Sequence, residues 1–253
     1  MRLISWYCQG AFHKKVACAT ELHPDILVVP ECEKLVALPQ LLQGPTIRSH
    51  RWVGSNARKG LAALSFGDYV LDIHPSYRPE HKWIVPFSVS GPASFVLFAV
   101  WTLPLGSHRS RYVRPLFEAL ETYGRLLDTS ETVWAGDFNS SFVFDTASRR
   151  YKFRDFVSQL ASRGLHSLYH QQRGCDHGEE PDETFYLYHH RDKGYHIDFV
   201  FAGAGFHSPV DVSVGTHADW SKLSDHAPLI CDFTLQPISR TARAKSRKTS
   251  ADA

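Results

Sequence analysis

The sequence predicts an α/β fold in which two mostly antiparallel sheets pack face to face and helices cover their outer sides. Three observations carry this expectation. Short β-rich runs recur from one end of the 253 residues to the other; several of them are apolar at consecutive positions, so that both faces must be covered; and helical patterns are few and scattered.

The runs, in order, are RLISW, DILVV, LAALSF, YVLDI, WIVPFSV, SFVLFAVW, ETVWAG, TFYLYH, HIDFVFA, VDVSVG and PLICDFTL. Most are rich in β-branched or aromatic residues. Between them, Phe12, Val16, Ala19 and Leu22 recur at helical spacing until His23-Pro24 breaks the pattern. Val113, Leu116, Phe117, Leu120 and Leu127 mark a longer helix, and Phe153, Phe156, Val157 and Leu160 mark a third that ends near Gly164.

A hydrophobic content of 43% supports a sizeable core, and all six Trp fall before the last thirty residues. The formal charge of +2 hides an asymmetry. Residues 236–253 carry Arg240, Arg243, Lys245, Arg247 and Lys248 against the single acid Asp252, which leaves the body slightly acidic. A single folded domain over 1–235 and a basic, disordered tail over 236–253 are therefore expected. Cys8, Cys18, Cys32, Cys175 and Cys231 lack CxxC spacing, which suits reduced thiols and a cytoplasmic location. Cys175 and His177, in GCDHGEE, are zinc-type donors without a second pair and read as a polar loop. No run approaches bilayer-crossing length, the N-terminus reads as a strand rather than a signal peptide, and nothing calls for an obligate protein partner.

Acidic and amide residues stand where the apolar runs end. Glu31 follows DILVVP, Asp137 and Asn139 follow TVWAG, Asp198 sits in YHIDFVF, and Asp225 and His226 precede APLICDF. Any one of them alone is an ordinary turn or cap residue. If the strand ends converge, the carboxylates meet at one pole of the sandwich and require a cation or a shared proton. Hard oxygen ligands suit Mg²⁺ or Mn²⁺. A histidine held by Asp198 would stay cationic against a phosphorus centre while Asp137 takes a proton from water, an arrangement suited to phosphodiester hydrolysis.

ISWYCQGAF, DILVVPECE, VWAGDFNSS, YHIDFVF and LSDHAPL, in that order, resemble the motif series of the endonuclease/exonuclease/phosphatase family, which includes exonuclease III, apurinic endonucleases, deoxyribonuclease I and inositol polyphosphate phosphatases. The resemblance spans residues 2 to about 234 and implies a four-layer α/β sandwich. It further implies metal binding by Glu31 and Asp225, water activation by Asp137, phosphate contact by Asn139, transition-state stabilisation by His226 and orientation of that histidine by Asp198. His196 falls where relatives often carry a residue facing the phosphate, and a packed strand histidine is the other reading. The implied substrate is DNA or RNA; a phospholipid, phosphoinositide or nucleotide is the alternative, and a catalytically weakened binding module is a third.

Two departures stand out. The family carries Trp-Asn or Phe-Asn after the first strand, and here the amide is replaced by Tyr7, which predicts slower turnover. Where relatives carry Tyr or His before Pro, this chain has Trp101 and Thr102, leaving Tyr112 and His108 as substitutes nearby in sequence. Around Lys59-Gly60, NARKGLAALSF reads either as the family's loop and strand beneath the groove or as an exposed charged hairpin.

Overall fold

The computed structural model describes residues 1–35, 47–104, 112–128, 131–206 and 209–234. The basic tail and His108 lie outside the described residues. All eleven runs contribute strands, ten of them to two mixed six-stranded sheets and TFYLYH to a separate two-stranded ribbon. The first sheet has the order β13-β14-β1-β2-β4-β3. It is built from β1 (Arg2–Ser5), β2 (Ile26–Cys32), β3 (Ile47–Asn56), β4 (Lys59–Phe66), β13 (Val210–Val214) and β14 (Leu229–Phe233). The second has the order β5-β6-β7-β8-β12-β9. Its strands are β5 (Val70–Ile73), β6 (Ile84–Ser90), β7 (Phe95–Trp101), β8 (Thr132–Asp137), β9 (His166–Ser167) and β12 (Asp198–Ala202). A small ribbon pairs β10 (Phe185–Tyr186) with β11 (Gly194–Tyr195). Among the described residues only β1 with β2 and β7 with β8 are parallel; each pair is joined through a helical crossover, as parallel neighbours require.

Period-two alternation sorts the side chains into layers. Leu3, Ile26, Val28, Leu97, Ala99, Val133, Ala135, Val200 and Leu229 fill the space between the sheets. Their strand neighbours Ile4, Leu27 and Val29 face outward beneath α1 (Val16–Thr20) and α5 (His217–Trp220). Phe98, Val100, Trp134, Phe199 and Phe201 face outward beneath α2 (Arg114–Leu127) and α3 (Phe153–Ser162). Helices thus cover both outer faces, giving the four-layer sandwich. The helix α3 stops where Gly164 takes φ 78° and the amides of Gly164 and Leu165 return to the carbonyls of Ala161 and Leu160.

Several elements differ from expectation. The first helical pattern breaks into a 3₁₀ turn at Phe12–Lys14 and the short α1, ending before Leu22. TFYLYH contributes strand only at Phe185–Tyr186 before turning at Leu187–His189. Strands β3, β9 and β11 and the short helices α4 (Leu168–Arg173) and α5 carry no comparable sequence signal. The ten-residue β3 is an edge strand, exposed enough to tolerate Arg48, His50 and Arg51 without an apolar alternation. No helix among the described residues is long and apolar enough to cross a membrane.

Candidate active site

Asp137 ends β8 and Asp198 begins β12, and the two are direct cross-strand partners. Each lies two residues from an inward-facing position, Ala135 and Val200, so the alternation that fills the core also aims both carboxylates between the sheets. Like charges placed opposite each other are unfavourable unless something neutralises them. Gly136 permits this placement. It adopts φ 151°, and a Cβ there would stand 1.9 Å from the carbonyl oxygen of Val100 on the neighbouring strand.

His226 supplies part of the neutralisation. Its Nδ1 donates to Asp198 Oδ2 at 2.7 Å, and its main chain is tied down by Trp6 Nε1 on its carbonyl at 3.0 Å and by its own amide on Ser224 Oγ at 3.0 Å. Asp137, Asp198 and His226 are 0, 1 and 3% exposed. Burial alone would push His226 down, but the adjacent Asp198 charge and hydrogen bond, with further attraction from Asp137 and Asp225, raise it to about 9. It is therefore an imidazolium at neutral pH. Asp137 moves above the ordinary carboxylate range because burial outweighs the attraction of His226 and the carboxylates of Asp198 and Asp225 repel its charge.

Asn139 fastens Asp137 from the same loop. Its amide N–H donates to Asp137 Oδ1 at 2.8 Å and its Nδ2 donates to Oδ2 at 2.6 Å and to the Thr102 carbonyl at 3.1 Å. The turn that allows this holds Asn139 at φ 47°, a left-handed conformation that asparagine tolerates better than most residues. Thr102 is itself anchored, its Oγ1 donating to the Phe138 carbonyl at 2.5 Å. Thr102 thus braces the loop that carries Asp137 and Asn139.

Across the site, Tyr7 donates its phenol hydrogen to Glu31 Oε2, and Lys59 Nζ pairs with Glu31 Oε1 at 2.9 Å. Glu31 reaches this position through a left-handed backbone, φ 54°, at an irregularity in the pairing of β2 with β4 between Val29 and Cys32. The Tyr7 ring lies 4.3 Å from the His226 ring, tilted by 31°, so an aromatic ring covers the histidine where relatives are expected to carry an amide. Burial and the neighbouring carboxylates Glu31, Asp137 and Asp225 drive the Tyr7 phenol far above its ordinary range, so it remains a donor. Asp225 sits between Ser224 and His226, with its carbonyl paired to the Tyr186 amide.

The remaining candidates are placed as follows. His196 is buried, with Nδ1 on the Asp182 carbonyl at 2.8 Å and its ring 4.4 Å from that of Tyr169. Burial depresses its pKa. Tyr112 is half-buried in the turn entering α2. Two supporting residues, Thr184 and Ser224, escaped the sequence reading, and a third, Lys59, was placed there only in a loop beneath the groove or an exposed hairpin. Thr184 Oγ1 accepts the amides of Ile197 and Asp198, both at 3.0 Å, and so sets the height of the Asp198 carboxylate. Ser224 Oγ donates to the Tyr7 carbonyl at 2.7 Å. Lys59, at the tip of the β3–β4 hairpin, turns out to be the ion-pair partner of Glu31. A polar residue in an apolar strand context was the available signal for Thr184; the other two needed the fold.

The residues fit a divalent cation. Four carboxyl groups, Glu31, Asp137, Asp198 and Asp225, stand against only Lys59 and the His226 imidazolium, and Asp198 Oδ1 is buried without a partner. One donor atom each from Asp137, Asp198 and His226 lies within 4.8 Å of the others. An imidazolium has no lone pair to offer a metal, so the oxygen donors are the ligands available.

No protein-family profile and no curated protein sequence matches the chain. Solved structures match over nearly its whole length. An AP endonuclease from Archaeoglobus fulgidus is 16% identical with a TM-score of 0.69, covering 93% of this chain and 100% of its own. The 3′ phosphatase NExo from Neisseria, bound to product DNA hairpin, is 20% identical with a TM-score of 0.67, covering 92% and 99%. An endonuclease/exonuclease/phosphatase from Beutenbergia cavernae is 18% identical with a TM-score of 0.62, covering 93% of this chain and 71% of its own. With carboxylates, histidine and supporting loops gathered at one pole of the same four layers, the chain has the endonuclease/exonuclease/phosphatase fold.

Proposed function

We propose that this chain hydrolyses phosphodiester bonds in nucleic acid with the help of a divalent cation, Mg²⁺ or Mn²⁺. The observation that carries the reading is the buried grouping of Asp137, Asp198 and the His226 imidazolium at paired strand ends. The likeness to an AP endonuclease and to a phosphatase bound to product DNA supports nucleic acid as the substrate.

Glu31 and Asp225 would hold the cation, which supplies charge neutralisation at the phosphate and leaving oxygen. Asp137, held at both oxygens by Asn139, takes the proton from an attacking water. Its preference for a proton in the free protein falls when positive charge enters the site. His226 keeps Nδ1–H on Asp198 and presents Nε2–H to a non-bridging phosphate oxygen, stabilising charge that grows in the transition state. Asp198 keeps the ring oriented and charged. Asn139 spends its amide hydrogens on Asp137 and Thr102, so its role here is to orient the base. The P–O bond to the leaving group breaks as the water oxygen bonds to phosphorus, and no covalent enzyme intermediate is required.

The test is a panel of single- and double-stranded DNA and RNA with Mg²⁺ or Mn²⁺, run on the parent chain, Asp137→Asn and His226→Ala. Cleavage by the parent alone, abolished by chelator, is the expected result. Cleavage that survives both substitutions in chelator overturns the proposal. The pairing of Glu31 with both Tyr7 and Lys59 favours a second reading, a weakened module that binds nucleic acid without turning it over. That reading wins if the parent binds Mg²⁺ and DNA or RNA but cleaves nothing, including phospholipid and nucleotide phosphoesters.

A further inference from the structure

A second histidine–carboxylate cluster lies outside the residues used above, where α4 and the segment after it fold back on the turn at Phe142–Phe144. His170 and Glu180 have side chains only 8 and 6% exposed, and their Nε2 and Oε1 atoms are 3.0 Å apart. Ser167 Oγ lies 2.7 Å from His170 Nδ1, which fixes the ring and leaves Nε2 toward the cluster. The Gly178 amide donates to the same Glu180 oxygen at 2.9 Å. The His177 ring stacks on His170 with centroids 3.5 Å apart and an interplanar angle of 18°, and on Phe142 at 4.7 Å.

One donor atom from each of His170, His177 and Glu180 lies within 4.8 Å of the others. Two further observations point to an absent partner. His177 Nδ1 is buried without a hydrogen bond, and so is Nε2 of His196, whose ring centroid is 6.0 Å from that of His170. A buried nitrogen without a partner is costly, and such groups are rare unless a ligand completes them. None of these three donors serves the phosphodiester chemistry.

We propose that His170, His177 and Glu180 bind a zinc-class divalent ion, with solvent completing the coordination. Two imidazoles and one carboxylate are a borderline-soft donor set that suits Zn²⁺ and disfavours Mg²⁺, in contrast to the oxygen donors of the catalytic pole. Cys175, the donor nearest His177 in the sequence, is not one of the three that converge. The ion would clasp α4 to the segment leading to Asp182 and Thr184. That segment holds His196 through the Asp182 carbonyl and Asp198 through Thr184 Oγ1, so the clasp braces the catalytic strand from behind.

The experiment uses the full chain stripped with chelator and carrying Glu31→Gln, which disables the oxygen-rich site. Zn²⁺ is titrated by calorimetry, with thermal unfolding followed alongside. The proposal predicts one Zn²⁺ per chain, a rise in Tm on binding, and affinity weakened about a hundredfold or more by His177→Ala and by Glu180→Gln. Absence of Zn²⁺ binding, or equal binding by both variants and their parent, overturns it. Should either variant fail to fold, the imidazole NMR signals of His170 and His177 in the Glu31→Gln chain decide. Zn²⁺ must shift both, and signals unmoved at saturation overturn the proposal.

Discussion

The β8–β12 wall of the active site is dry, whereas the β1–β2 wall opens to solvent. On the first, Asp137, Asp198 and His226 are buried, clamped by main-chain and side-chain hydrogen bonds, and paired at 2.7 Å. On the second, Glu31 and Lys59 keep 21 and 46% of their side-chain surface, and Glu31 already holds a phenol and an ammonium group. The groups assigned to proton transfer and charge stabilisation are therefore organised before any ligand arrives. The carboxylate assigned to the cation must exchange partners. Tyr7 joins the walls, its hydroxyl on Glu31 and its ring against His226.

The largest effect is expected on the dry wall. Asp137→Asn should lower kcat/KM on the best substrate by about a thousandfold or more, while Tm holds or rises because a buried ionisable carboxyl becomes a neutral amide. A near-normal rate would remove Asp137 from the mechanism. On the open wall the sign reverses: Tyr7→Asn should accelerate cleavage by about tenfold or more and tighten Mg²⁺ binding, with Tyr7→Phe reproducing the gain in metal affinity. A Tyr7→Asn chain no faster than the parent would mean that the phenol has a role of its own.

Thr184→Val tests how the dry wall is held. It leaves the buried amides of Ile197 and Asp198 without their acceptor, a cost of about 1–3 kcal/mol in urea unfolding, and should slow cleavage without changing substrate affinity. The pH dependence of stability tests its charge state. His226 is raised in the folded chain, so its contribution is complete below about 6.5 and is lost as pH rises through about 9. Asp137, also raised, acts in the same direction because the folded chain again holds the extra proton. Denaturant unfolding from pH 6 to 10 should thus show falling stability, and saturating divalent cation should flatten the slope. Lys59→Met should have the smallest effect, under about 1 kcal/mol in stability, since its ion pair is exposed.

Much of this contrast was legible in the linear sequence, and unevenly so. Asp137 and Asp198 follow from local alternation: once Ala135 and Val200 are core residues, the carboxylates two positions along must face the same way. Glu31 does not. The alternation through Ile26 and Val28 points Glu31 outward, and only the left-handed irregularity after Val29 turns it into the site. Lys59 was equally opaque, because its meaning depends on a hairpin whose partner β3 is polar and lies at an edge.

The second cluster makes the same point within eleven residues. HQQRGCDHGEE displays His170, His177 and Glu180 openly, but Gly174 caps α4 in a left-handed turn at φ 65° and reverses the chain, and that reversal brings the three donors together. By itself the sequence determined eleven of the strands, the layered packing and the acidic residues at the strand ends, because each follows from the period and polarity of a few neighbouring residues. The tertiary structure alone decided which of those groups meet, which carboxylate is already paired and how far His226 is raised, because charge, burial and hydrogen bonding act across space between residues such as Trp6 and His226, 220 positions apart.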